Sequence, residues 1–204
     1  MKRIRETRAA SYAPPREKPA WPDQGRWTYQ DYSRLPDDGW RYEVIKGELH
    51  MTPAPRPKHQ KAIGKLFNAL SNFVEHHRIG DLYFAPLDVV LPHHLATPVQ
   101  PDLVFVAREH LDIVKEKYVE GAPDLVIEVL SPSNWLDDRR IKYEVYAEAG
   151  VREYWIVDPD RRTIEVFVLL DGQYALEGRF GAGERARSRV LKGFEVDVDE
   201  VLPW

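Results

Sequence analysis

The sequence predicts an α/β fold in which a helix, three strands, a second helix and a fourth strand succeed one another. This αβββαβ core has a mixed central sheet flanked by helices, an extra N-terminal hairpin and C-terminal strands. Three observations carry the prediction. Residues 63 to 74 repeat apolar side chains at helical spacing; three runs rich in β-branched residues follow; and a second amphipathic segment, stopped by Gly150, leads into another apolar run.

Residues 1–24, rich in Arg, Pro, Ala and Glu without apolar periodicity, read as a flexible arm, leaving 25–204 as a single domain. "TYQDYSRLP" predicts a short helix or turn ended by proline. "WRYEVIKGELHM" is two short alternating runs joined at Lys46-Gly47, the pattern of a β-hairpin. In "TPAPRPKHQ" the last proline, Pro57, suits the first position of a helix. Ile63, Leu66, Phe67, Leu70, Phe73 and Val74 then make one apolar stripe. "DLYFAPLDVVLP", "QPDLVFV" and "APDLVIEVL" predict three strands. The second helix is expected from about Trp135 to Ala149, followed by a strand, a turn at Asp158-Pro159-Asp160 and further strands.

A net charge of −4 does not suggest a nucleic-acid binder by bulk electrostatics. Two local basic clusters, Arg139-Arg140-Lys142 and Arg179-Arg185-Arg187-Arg189, read first as solvated surface. Zero cysteines exclude disulfides and thiolate metal sites, and a cytoplasmic protein is the simplest fit. No apolar run approaches the roughly 18 residues of a membrane span.

Glu128 is the conspicuous residue, an ionisable group inside "PDLVIEVL". Strand alternation sets it on one face with Val126 and Leu130, opposite Leu125, Ile127 and Val129. Both faces are apolar, so a carboxylate there is costly unless a cation or several donors hold it. A sheet-edge glutamate, a buried ion pair and a metal ligand all satisfy that condition. On the second helix Trp135, Ile141, Val145, Tyr146 and Ala149 fall in an arc of roughly 140° at about 100° per residue. Lys142 falls inside this arc, whereas Arg139, Arg140, Glu144 and Glu148 fall outside it. The Lys142 ammonium is thus either beside Glu128 or snorkelling across apolar surface.

"PDLV" occurs twice, giving Asp102 and Asp124 at two strand openings. Asp124 is about 13 Å from Glu128 along one strand, too far to share an ion. Asp102 belongs to a different strand, where register can set it beside Glu128, and is the preferred partner. Two carboxylates and a lysine suit Mg²⁺ or Mn²⁺ and phosphodiester hydrolysis.

The constellation on this element order resembles the PD-(D/E)XK nucleases, of restriction-endonuclease-like fold. The runs "RYEVIKGELHMTPAPRPKHQ", "QPDLVFV", "GAPDLVIEVLSPSN" and "KYEVYAEAGVREYWIVDPDRRTIEVF" more narrowly resemble the Uma-type restriction endonuclease family. The resemblance implies a metal-dependent endonuclease acting on DNA, with Asp102 and Glu128 as metal ligands. The motif's lysine position holds Leu130; the Uma-type pattern implies that Lys142 replaces it, assisting water or stabilising charge. The superfamily often adds an acid from its first helix. That stripe carries none here, and Glu43, Glu48 and His59 are the substitutes, His59 reading equally as a core histidine. Tyr146 reads as core aromatic or substrate contact. His76-His77 and His93-His94 are assigned no role. Cutting both strands of a duplex would favour a homodimer. The rival reading is a non-catalytic interaction or regulatory domain that retains a vestigial site.

Overall fold

The computed structural model describes residues 21–52, 54–131 and 137–204. Residues 1–20 of the expected arm, Trp135 and the Arg139 side chain lie outside the described residues. Residues 21–24, also assigned to the arm, belong to the domain. Trp21 stacks on Trp27 with ring centroids 5.5 Å apart, and the Gln24 amide exchanges two hydrogen bonds with the Leu49 backbone.

The first element is α1 (Tyr29–Tyr32), opened by a Thr28–Asp31 capping box. The hairpin β1 (Arg41–Ile45) and β2 (Glu48–Thr52) turns at Lys46-Gly47, both at positive φ. Glycine is required there: a Cβ on Gly47 would lie 2.6 Å from the Gly25 carbonyl oxygen. The long helix α2 (Pro57–His77) starts on its proline and buries Ile63, Leu66, Leu70 and Val74, the predicted stripe.

The run expected as one strand is divided at Ala85-Pro86. Its first part, β3 (Gly80–Phe84), joins the main sheet, and its second, β4 (Asp88–Val90), pairs in parallel with β6 (Tyr118–Glu120) in a side ribbon. The core then runs through β5 (Leu103–Ala107) and β7 (Leu125–Val129). Next come a π-helical turn (Asp137–Lys142), α3 (Tyr143–Ala149) and β8 (Glu153–Asp158). Gly150, at φ 90°, ends α3 in the left-handed conformation. The first turn of the predicted second helix is therefore π rather than α in its described part. Asp158 closes the next turn by accepting from the backbone N–H groups of Asp160 and Arg161. Strands β9 (Thr163–Leu170) and β10 (Gln173–Phe180) extend the sheet, and β11 (Arg185–Arg187), β12 (Glu195–Asp197) and α4 (Val198–Val201) finish the chain.

The main sheet has six strands in the order β10-β9-β8-β7-β5-β3, antiparallel except for the β7–β8 pair. The parallel pair is the one bridged by α3, as a crossover requires. Alternation sorts the central strands into two cores. Leu103, Phe105, Leu125, Ile127, Trp155 and Val157 meet α2 and α4. Val104, Val106, Val126, Tyr154 and Ile156 meet Val145 and Tyr146 of α3. The second layer contains the ionisable cluster described below. The predicted arginine cluster forms ion pairs: Arg179 with Glu165, Arg185 and Arg187 with Glu195, and Arg189 with Glu177.

Candidate active site

The β5–β7 register brings Asp102 and Glu128 together. Leu103 faces Ile127 and Val104 faces Val126, so one further step of the same register sets Asp102 opposite Glu128. The Asp102 carboxylate also caps the end of β7, accepting from Val129 N–H at 2.8 Å. Asp124 does the reciprocal job: it accepts from Ala107 N–H at the end of β5 at 2.7 Å. The doubled "PDLV" is thus a pair of mutual strand caps across an antiparallel pair. Asp124 is held by His110 and Arg152 at the opposite end of these strands, away from Glu128.

Lys142 lies at the C-terminal end of the π turn, where α3 packs over β7. Its Nζ is 3.0 Å from Glu128 Oε1 and 3.0 Å from Glu43 Oε1, and the residue is 1% exposed. Tyr146, one turn further, donates to the same Glu128 oxygen at 2.8 Å. It is fully buried and belongs to the apolar cluster between α3 and the sheet. Leu130, at the lysine position of the motif, is packed in the core on this face. Its place is apolar, and the positive charge beside Glu128 comes from the helix instead.

Glu43 enters from β1 and accepts from Gln100 N–H at 2.7 Å. The strand is held there by backbone bonds from Val44 and Lys46 to the 95–98 segment and by a Lys46–Glu148 ion pair of 2.8 Å. Glu48, the other hairpin glutamate, lies on β2, pairs with Ile45 next to the turn and is exposed. Two residues further along the ribbon than Glu43, it makes no bond to the cluster among the described residues. Alternation sets Arg41 on the same face as Glu43, and its guanidinium lies 3.1 Å from Asp102 Oδ1. Sequence reasoning missed Arg41, although the spacing Arg41-x-Glu43 on an alternating strand was the available signal. His59, from the first turn of α2, brings its Nε2 to 3.2 Å from Asp102 Oδ2.

Among the described residues Glu43, Asp102 and Glu128 supply three carboxylates, faced by Arg41 and Lys142, with His59 beside Asp102. Burial pushes Asp102 upward, but His59, Arg41 and the Val129 N–H outweigh it, and its pKa is net lowered. For Glu128 burial wins over Lys142, and Asp102 and Glu43 add repulsion, so its pKa is pushed up to about 7. Burial and the neighbouring carboxylates push the Tyr146 hydroxyl upward as well. Glu128 Oε2, buried, has no hydrogen-bond partner among the described residues, nor does His59 Nδ1. Such atoms call for an ion, a water or a strain-bearing function.

A groove of about 770 Å³ opens over Asp102, Arg41 and His59. Glu128 and Lys142 do not line it; they form the layer beneath. Among the described residues no cluster of three His, Asp or Glu side chains is arranged to hold a metal ion. The arrangement nevertheless fits Mg²⁺, which commonly takes one or two carboxylates and completes its shell with water and substrate phosphate. The unpartnered Glu128 oxygen next to Asp102 is the observation that supports the fit.

The fold is of the restriction-endonuclease-like class. The Uma2 family, described as "Putative restriction endonuclease", matches residues 29–199, and the chain belongs to that family. Among solved structures it is similar to a "putative nuclease belonging to DUF820" from Anabaena variabilis. That likeness has a TM-score of 0.72 at 18% identity and covers 87% of this chain and 98% of the other. No curated protein matches the chain.

Proposed function

We propose that this protein is a divalent-metal-dependent endonuclease that hydrolyses DNA phosphodiester bonds at the Asp102–Glu128 pair. One observation carries the reading: by register Asp102, just before β5, stands opposite Glu128 on β7 beside an open groove, in a family described as "Putative restriction endonuclease". A bound Mg²⁺ or Mn²⁺ would polarise the phosphoryl oxygen and lower the pKa of a coordinated water.

The chain's own residues have separable tasks in this proposal. Asp102 and Glu128 hold the ion. Lys142 and Tyr146 fix the Glu128 carboxylate by bonding one oxygen and leaving the other for the ion. Lys142 also keeps a positive charge just beneath the ligands, where it adds to stabilisation of developing negative charge. Arg41 orients Asp102 from the groove wall, and His59, also lining the groove, braces the other Asp102 oxygen through Nε2. Glu43 balances Lys142.

A second reading is favoured by the same pairings. Arg41 on Asp102 and Lys142 on Glu128 satisfy much of the charge without a metal, as in an interaction domain with a vestigial site. Cleavage of supercoiled plasmid and of single-stranded DNA separates the two. Cutting of either with Mg²⁺ or Mn²⁺, abolished by EDTA and by Asp102→Ala and Glu128→Ala, supports the endonuclease. Absence of cutting of both by the wild type supports the vestigial domain.

A further inference from the structure

The groove above the carboxylate pair has walls unlike those expected for binding the backbone of an intact duplex. Its charged lining among the described residues is Asp37, Arg41, Arg56 and Asp102, two cations against two anions, and Arg41 is already committed to Asp102. Phosphate neutralisation contributes more per contact to duplex than to single-strand binding, and this lining offers few cations for it. The walls are instead aromatic. Trp40, 47% exposed, and Phe84, 56% exposed, both line the groove, and Tyr32 and Tyr42 join them.

Phe84 is held edge-on by Phe67, ring centroids 4.9 Å apart, so it presents a fixed surface rather than a loose side chain. Tyr32 is fixed in the same manner, donating to Asp88 at 2.9 Å and accepting from the Gln100 amide at 3.0 Å. Depth matters equally. Asp102 is 1% exposed and Glu128 0%, so a scissile phosphate must descend below the protein surface to reach them. A flexible single strand can bend a phosphate down into such a groove at less cost than a duplex, whose stiffness resists the bend.

From these features we infer that the preferred substrate of this site is an unpaired strand, whose bases stack on Trp40 and Phe84 while its phosphate reaches Asp102. Aromatic platforms of this kind bind single strands with little sequence preference, because every base has a stacking face. The inference rests on the endonuclease reading for the chemistry but stands on the groove for the binding.

Fluorescence and cleavage test it together. Oligodeoxythymidylate is titrated into the full chain in EDTA, following tryptophan emission, with a duplex of equal length as competitor. Quenching that is reduced in Trp40→Phe, with binding weakened roughly 10-fold or more in Trp40→Ala and Phe84→Ala, is the expected result. In Mn²⁺ the single strand should then be cut faster than the duplex. Duplex binding as tight as single-strand binding, or affinity unchanged in both alanine variants, overturns the inference even where plasmid is cleaved. Stacking as expected with no cleavage of either DNA sustains the single-strand site and removes the endonuclease reading instead.

Discussion

At neutral pH the Glu128 carboxyl works against folding, and Glu128→Gln isolates by how much. Burial raises its pKa from 4.5 to about 7 despite the attraction of Lys142. The folded protein therefore retains a proton that the unfolded chain releases above pH 4.5. Where the folded state binds more protons, stability falls as pH rises. The fall spans the interval from 4.5 to about 7 and, at about 1.4 kcal/mol per pH unit, amounts to about 3 kcal/mol. Glutamine has nearly the same shape and cannot ionise, so its contribution is flat across that range. Lys142 keeps Glu43 at 3.0 Å in the variant and is not left unpaired. Urea unfolding in EDTA between pH 5 and 8 measures both proteins. The variant should gain on the wild type by as much as about 3 kcal/mol as pH rises through this interval. Parallel pH profiles would refute the reasoning, because they would mean that Glu128 has the same charge folded and unfolded throughout.

Other perturbations separate structural from functional roles. Lys142→Met strands two buried carboxylates and should cost about 3–5 kcal/mol in chemical denaturation, with cleavage lost. Asp124→Asn should cost about 1–3 kcal/mol yet leave cleavage intact, whereas Asp102→Asn should abolish cleavage, a comparison of twin strand caps by denaturation and plasmid assay. Gly47→Ala forces a Cβ against the Gly25 carbonyl at positive φ and should lower stability by more than about 1 kcal/mol in thermal melts, with metal binding retained.

Much of the fold was legible because it rests on local periodicities. The α2 stripe, the alternation in β5 and β7 and the stop at Gly150 are written in single segments, and they suffice to order the core. The same arithmetic put Glu128 and Lys142 on facing surfaces, and their Nζ–Oε1 separation of 3.0 Å agrees with it. What escaped was long-range. The β4–β6 ribbon depends on two three-residue segments far apart in the chain, too short to show a period of their own. The π turn breaks the regular 100° step, and an ideal helical wheel does not register it. Glu43 and Glu48 looked equivalent in sequence; position along the ribbon distinguishes them. Arg41 was overlooked because an arginine at a strand start normally needs no explanation. Its significance comes from Asp102, 61 residues away.

The claim on which the endonuclease reading depends is that Glu128 and Asp102 hold a divalent cation. Isothermal titration of Mn²⁺ into the wild type and Glu128→Gln near pH 6.5, repeated in two buffers of different ionisation enthalpy, tests it directly. Saturable binding by the wild type is expected, accompanied by proton release that makes the heat buffer-dependent, with loss of that binding in the variant. Equal Mn²⁺ affinity in the two proteins, or no saturable heat in either, would contradict it and leave Glu128 and Lys142 as a buried ion pair.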